Sequence, residues 1–345
     1  MEPVDLYRRM FRARALELAI ADLWRRGLIS GEMHLGTGEE AVAAGVTAHL
    51  ADGDAVAVDH RSTPVLSMVG VDLKAMIEEL LGRETGLNHG AGGHMHLLEP
   101  ERLAASSGIV GAAGPTAAGF ALAAKLLRPG CVAVAFFGEG ATNEGMLSES
   151  WTLAAAWTVP VVFVGRANRW ASSTRSATVT GGDLVARASG FGLEVTSVDG
   201  ADPQAVWQGA KGLIDRARRG KGPSFLHATC PRLDGHFLGD PMIKTAQSPV
   251  AEGGEVFSKV ISAALSRDGG SIGRRASSMA KMMSSLVRVR GAKREGGRDP
   301  VERAKRSLER EGVKIDLVES EVLEEIETAV AGALEGGGEH AHDAL

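Results

Sequence analysis

Along the first 230 residues, short apolar runs alternate with stretches whose apolar positions recur at helical spacing. Residues 3–27 carry Leu6, Met10, Leu16, Ala19, Ile20 and Leu23 on one stripe, which predicts a long first helix. GEEAVAAGVTAHL (38–50) predicts a second helix with acidic residues in its first turn, where the helix dipole favours them. DAVAVD (54–59) predicts a short strand, and VDLKAMIEELLG (71–82) a further helix. GLNHGAGGHMHLLEPE (86–101) holds too much glycine for either element and predicts an ordered loop. From there the alternation is regular: helices over 114–127, 145–157, 182–190 and 201–219, with strands over 131–137, 160–165, 193–198 and 224–229.

Strands apolar on both faces and alternating with helices imply an α/β fold, a doubly wound parallel sheet covered by helices on both faces. In such sheets ligands bind beyond the carboxyl ends of the strands. The expected domain division is an α/β domain over 1–240, a Gly/Ser/Arg-rich insertion or linker over 241–298, and a C-terminal helical segment and tail over 299–345. Within the linker, RRASSMAKMMSSLVRVR (274–290) reads either as a basic amphipathic helix that docks a partner or as a solvated insertion, the latter preferred.

Composition narrows the function. A formal net charge of -5 lacks the basic surplus that general nucleic-acid binding needs. The two cysteines form no CxxC pair, which predicts a reduced, cytoplasmic protein. The charged, amphipathic N-terminus predicts neither a secretory signal nor a membrane span.

The chemistry concentrates at FFGEGATNEG (136–145), where Glu139 stands between two glycines at a predicted strand end. A dinucleotide fingerprint needs a third glycine where this chain has Asn143, and no Walker sequence occurs, so nucleotide readings are weak. A metal-diphosphate site fits better. A carboxylate supplies Mg²⁺ with a hard oxygen, and backbone N–H groups face phosphate. Further oxygens are available one strand over in GRANRWASST (165–174), from Asn168 and a main-chain carbonyl near Trp170. The bland alternative is a solvent-facing turn that happens to carry Glu.

The stretch GEGATNEGMLSESWTLAAAWTVPVVFVGRANRWASST resembles the thiamine-diphosphate motif of the alpha subunits of 2-oxo acid dehydrogenases, G-D-G-A-x-N-E/Q-G through W-x-L-P to C-E-N-N-x-Y. MHLGTGEEAVAAGV (33–46), SSGIVGAAGPTAAGFALAAKL (106–126), RLDGHFLGDP (232–241) and DPVERAKRSLEREG (299–312) resemble further family segments, with acetoin and pyruvate types nearest. The resemblance implies the thiamine-diphosphate-binding fold, diphosphate half, with thiamine diphosphate and Mg²⁺ as cofactors. It implies Glu139, Asn168 and the carbonyl of Trp170 as metal ligands. His60 and Arg61 fall on the pair that grips the diphosphate, Gly140 and Ala141 line it, and Gly108 and Val110 meet the aminopyrimidine. His34 and His236 match active-site histidines that hydrogen-bond intermediates and guide acyl transfer to lipoamide. The implied partners are a beta subunit carrying the pyrimidine domain, in an α2β2 heterotetramer, and a lipoyl acyltransferase core, with a 2-oxo acid or acyloin as substrate.

Several positions depart from the family pattern. GDG is GEG, C-E-N-N is GRAN with Ala167 for the first Asn, R-x-H-G is Arg61-Ser62-Thr63-Pro64, the GKGGSMH loop is GAGGHMH with Ala91 for its lysine, and Thr152 replaces an asparagine. Three readings stay open: an active alpha subunit, a non-catalytic paralogue supporting a beta-type partner, and an NAD-dependent oxidoreductase. His89, His94 and His96 fit no standard zinc spacing, and Arg166 and Arg169 either reach phosphate or are solvated.

Overall fold

The computed structural model describes residues 1–239 and 299–335. The predicted linker over 241–298, its candidate helix over 274–290 and the tail beyond 335 lie outside the described residues.

The expected doubly wound sheet is present. Its strands are β1 (Ala55–Val58), β2 (Leu98–Glu99), β3 (Ala104–Ser106), β4 (Ala133–Gly138), β5 (Val161–Ala167), β8 (Glu194–Asp199) and β9 (Ser224–Thr229), in the order β2-β3-β1-β4-β5-β9-β8. A separate two-residue ribbon pairs β6 (Trp170–Ala171) with β7 (Thr174–Arg175). All pairings in the main sheet are parallel except that of the short edge strand β2 with β3. The chain places β3 on one side of β1 and β4 on the other, so a topological switch point opens at the carboxyl ends of β1 and β4, where ligands bind in open α/β sheets.

Alternation along the strands divides the core. Val56, Val58, Val134, Phe136, Val162 and Val164 face one layer of helices, made by α1 (Pro3–Arg25), α2 (Glu40–Thr47), α4 (Leu73–Leu80) and α8 (Pro203–Arg218). Ala55, Ala57, Ala133 and Ala135 face the other, where α5 (Ala113–Leu127) brings Ala117 and Ala121 against them. Small residues on both surfaces let helix and sheet approach closely. Beyond α5, Trp151 of α6 (Gly145–Ala156) meets Phe163 edge-on at 6.3 Å, beside the stacked Phe137–Phe225 pair. Helix α7 (Leu184–Gly190) closes that side with Ala188.

The two predicted C-terminal helices are α9 (Pro300–Arg310) and α10 (Asp316–Glu335). Asp299 caps α9 and pairs with Arg14, which also pairs with the buried Glu40 at 2.6 Å, so α9 is fastened to α1 and α2. Val322, Ile326 and Ala333 of α10 join the core beside α1 and α4. Among the described residues no helix is long and apolar enough to cross a membrane.

Sequence pattern missed the short pieces: α3 (Thr63–Met68), the β2–β3 pair and the β6–β7 ribbon. Each is too short to show a period, and α3 is buried on nearly every residue.

Helices α2 and α8 touch through Gly45. A Cβ there would lie 2.7 Å from Val206 Cγ1 and 2.9 Å from the Trp207 amide nitrogen. Replacing an interior helical glycine by alanine ordinarily gains roughly 0.5–1 kcal/mol, but overpacking costs roughly 1–3 kcal/mol, so the clash wins. Gly45→Ala should lower the urea midpoint without changing the slope. A raised midpoint would show that the two helices can slide apart.

Candidate active site

A polar layer lies across the carboxyl ends of the strands. Arg166, near the end of β5, has a side chain only 2% exposed and pairs with Glu39 at 2.8 Å and Asp59 at 2.5 Å. This corrects the expectation that Arg166 is solvated or reaches phosphate: its guanidinium lies between two carboxylates inside the sheet layer. Asp59, directly after β1, also accepts from the amides of Arg61 (3.0 Å) and Gly138 (3.1 Å). One carboxylate therefore joins the ends of β1, β4 and β5. Burial alone would push the Asp59 carboxyl up, but Arg166, His60 and the hydrogen bonds outweigh it and hold Asp59 well below the usual range. For Glu39 burial is the stronger influence, and its carboxyl is pushed up despite Arg166.

Glu139 begins the turn after β4 and is 7% exposed, which rules out a freely solvated turn. Its Oε2 accepts from the amide of Arg169 at 2.9 Å. Arg169 is left-handed (φ 70°), and the Asn168 side-chain oxygen accepts from the Trp170 amide at 3.0 Å. Glu139 thus reaches the residue between Asn168 and Trp170, and the three predicted metal-ligating residues lie on one pair of adjoining loops. Their carboxylate, amide and carbonyl oxygens are the hard donors Mg²⁺ prefers, so the donor set fits the ion. Gly140 has a packing reason as well: a Cβ there would lie 2.9 Å from that of Ala171 in the ribbon. Ala141 follows, buried against the α6 layer.

Three imidazoles meet beside this layer. His34, on the loop between α1 and α2, His60, after β1, and His236, after β9, place ligand-capable nitrogens within 4.8 Å of one another. His94 joins them, its Nε2 2.9 Å from His34 Nδ1. Burial, with neighbouring positive charge adding to it, lowers His34 to about 2, while burial lowers His60 and His94 to about 4, so all three are neutral at pH 7. His60 Nε2 is buried with no hydrogen-bond partner. Arg61 donates to the carbonyl oxygens of Leu35 and of His236, the latter at 2.6 Å, which fixes both histidine-bearing loops.

Two buried carboxylates shape those loops from below. Glu17 of α1 accepts from the Gly36 amide at 2.6 Å and from the Thr63 hydroxyl. Glu79 of α4 accepts from the amides of Asn88, Gly90 and Gly92 at 2.7, 2.9 and 2.6 Å, folding the glycine-rich loop that carries His94. Thr37 Oγ1 donates to Asp234 at 2.5 Å, and the Leu238 amide to the Met33 carbonyl at 2.7 Å, so the 33–38 and 231–239 loops are joined. Gly108 packs under Met95, where a Cβ would lie 2.8 Å from its sulfur, and Val110 is 52% exposed on the loop after β3. On the same loop a Cβ at Gly111 would lie 3.1 Å from carbons of Glu144 and Met146, so the loop packs beside the end of the Glu139 turn.

His89 is exposed beside Glu84, so HGAGGHMH does not act as one cluster. Glu39 was legible only as a first-turn acid of α2, and Glu17, Asp59 and Glu79 escaped the sequence reading. Their one signal is an acidic residue within or at the end of an apolar run, as in ALELAI and AVAVD.

The profile of the dehydrogenase E1 component family matches residues 8–252. The alpha subunit of acetoin:2,6-dichlorophenolindophenol oxidoreductase from Bacillus subtilis (strain 168) is 40% identical over 237 residues, 68% of this chain and 71% of that protein. Its counterpart from Cupriavidus necator is 42% identical, covering 69% and 72%. The pyruvate dehydrogenase E1 component subunit alpha of Zymomonas mobilis subsp. mobilis is 37% identical, covering 70% and 69%. Among solved structures, transketolase from Campylobacter jejuni superposes with a TM-score of 0.52 at 16% identity, a likeness of fold. The match covers 88% of this chain and about half, 48%, of that one.

Burial raises the Glu17 carboxyl to about 7, the Thr63 and Gly36 hydrogen bonds opposing it. A raised acid is protonated in the native state while the unfolded chain ionises near the ordinary value of about 4.5, so stability falls as pH rises from there through about 7. Glu17→Gln should therefore gain melting temperature relative to wild type at pH 8 compared with pH 5. A difference that shrinks or reverses on going to pH 8 would show that the native site needs the carboxylate charged.

Proposed function

Since this chain belongs to the dehydrogenase E1 component family, we propose that it is the alpha subunit of a heteromeric thiamine-diphosphate-dependent oxidoreductase acting on a 2-oxo acid or acyloin. The observation that carries this reading is the seating of Glu139 against the Arg169 amide, between Asn168 and Trp170, at the switch-point side of the sheet. When bound, thiamine diphosphate supplies a nucleophilic carbon and an electron sink for carbon–carbon cleavage. The chain's own residues do the rest. Glu139 Oε1 or Oε2, Asn168 Oδ1 and the Trp170 carbonyl would hold Mg²⁺, and the amides of Gly140 and Ala141 would be available to phosphate oxygens. His60 and Arg61 would meet the diphosphate, and Arg61 also keeps the His34 and His236 loops in place through the Leu35 and His236 carbonyls. Gly108 and Val110 offer backbone to the aminopyrimidine.

His34 is buried and neutral, so its ring has one N–H to give and one lone pair to accept. Such a ring can hydrogen-bond a substrate oxygen through the nitrogen that His94 leaves available, without carrying a charge into a buried site. His236 faces it across 4.8 Å between ring centroids and completes the pair. The beta subunit that supplies the pyrimidine half, an α2β2 assembly, acyl transfer to a lipoyl acyltransferase and a cytoplasmic setting complete the proposal.

A second reading, a non-catalytic subunit that supports a beta-type partner, draws on Arg61, whose guanidinium is already occupied by two carbonyls. Thermal unfolding of the complex with its beta partner separates the two. Under the first, thiamine diphosphate with Mg²⁺ raises the melting temperature, equivalent to about 2.7 kcal/mol at a hundredfold excess over Kd, and Glu139→Ala removes the shift. No shift in the wild-type complex overturns it in favour of the second.

A further inference from the structure

We infer that His34, His60 and His236 form a three-imidazole site for a late first-row divalent metal such as Zn²⁺, separate from the oxygen-lined Mg²⁺ site at Glu139. The inference does not depend on the catalytic proposal and concerns the chain free of thiamine diphosphate, since the same rings cannot ligate a metal and serve the cofactor at once. It stands on three observations. The ligand-capable nitrogens of the three rings already lie within 4.8 Å of one another. His60 Nε2 is buried and lacks a partner, an uncompensated lone pair or N–H that a metal would satisfy. Finally, His34 Nδ1 is 2.9 Å from His94 Nε2. If His34 is the donor in that bond, its Nε2 carries the free lone pair, the arrangement in which a second ring fixes the tautomer of a metal-bound histidine.

Donor type decides the metal. Imidazole nitrogens suit Zn²⁺, Co²⁺, Ni²⁺ and Cu²⁺, whereas Mg²⁺ requires oxygens, so the two sites would not compete for one ion. Tetrahedral Zn²⁺ at about 2.0–2.1 Å from each nitrogen sets them about 3.3 Å apart. The most separated pair must therefore close by about 1.5 Å. The rings sit on three different loops, after α1, β1 and β9, and small side-chain rotations bring them in independently. Arg61 NH2 donates to His236 Nδ1 at 3.4 Å, a long bond that a metal held through that nitrogen would displace, and its charge opposes a bare dication. The site therefore favours a metal that carries an anion, such as hydroxide, chloride or a carboxylate, in the open fourth position. Occupied in this way, it would hold an anionic small molecule among the same histidines and fasten the three loops together.

The test uses the untagged full chain, stripped with chelator and titrated with Co²⁺, then Zn²⁺. The expected result is one equivalent of Co²⁺ giving the intense visible bands of four-coordinate nitrogen ligation, displaced by one equivalent of Zn²⁺. His60→Ala and His236→Ala should each weaken binding more than tenfold, and His94→Ala by about ten- to a hundredfold as the outer partner. His89→Ala, exposed and distant, should leave it unchanged. Melting temperatures in chelator show whether each variant is folded, and His60→Gln replaces any His60→Ala that is not. Absence of a saturable one-equivalent spectrum overturns the inference, as does wild-type affinity in folded His60 and His236 variants.

Discussion

The site depends on a buried cation. Arg166 puts a guanidinium inside the carboxyl-end layer of a parallel sheet, where removing a charge from water costs several kcal/mol even after relaxation. The arrangement is tolerable only because Glu39 and Asp59 lie at 2.8 and 2.5 Å, on the start of α2 and the end of β1. Asp59 then spends its remaining lone pairs on the amides of Arg61 and Gly138. The positions of His60, Arg61 and Glu139 all follow, since each is within one residue of a group that Asp59 holds or is itself such a group. This also gives the departure from C-E-N-N a structural meaning. In GRAN a guanidinium occupies the place of the family's glutamate, and two neighbouring carboxylates neutralise it.

Above this layer, the loops are set by carboxylates that accept from backbone amides. Glu79 gathers three N–H groups of a glycine-rich loop that has no ladder of its own, and Glu17 does the same for Gly36 while holding Thr63. Buried amides must find acceptors. A buried acid reaching up from a helix satisfies them without adding a strand, so the loops that bear the clustered histidines are ordered while their backbones remain irregular.

The sheet was legible in the sequence because its strands are short, doubly buried apolar runs separated by amphipathic helices. SFLHAT was read with its observed boundaries, and AVAV with one residue to spare at each end. The Glu139 turn was legible too, since a carboxylate between glycines at a strand end has few bland explanations. What was not legible is pairing across distance. Nothing near Arg166 in sequence announces Glu39 or Asp59, more than a hundred residues earlier, and a lone Arg after an apolar run reads as solvated. The same holds for His94. Within HGAGGHMH it looks like one of three loop histidines, but Glu79 folds that loop so that His94 alone turns to His34 while His89 stays in solvent.

That separation bears on the altered family positions. Taken singly, Ala91 for lysine and His94 within a loop that elsewhere reads GKGGSMH look like losses. In the folded chain the lysine's absence removes a positive charge from the loop carrying His94. The serine position becomes an imidazole in contact with His34. Together these changes put neutral rings beside Arg61, itself bonded to two carbonyls. Neutral rings donate and accept in equal measure, whereas a lysine only donates. If the proposed readings hold, such a pocket would hold anions by directed hydrogen bonds or through a bridging metal instead of by the charge of a lysine, with the sheet beneath unchanged.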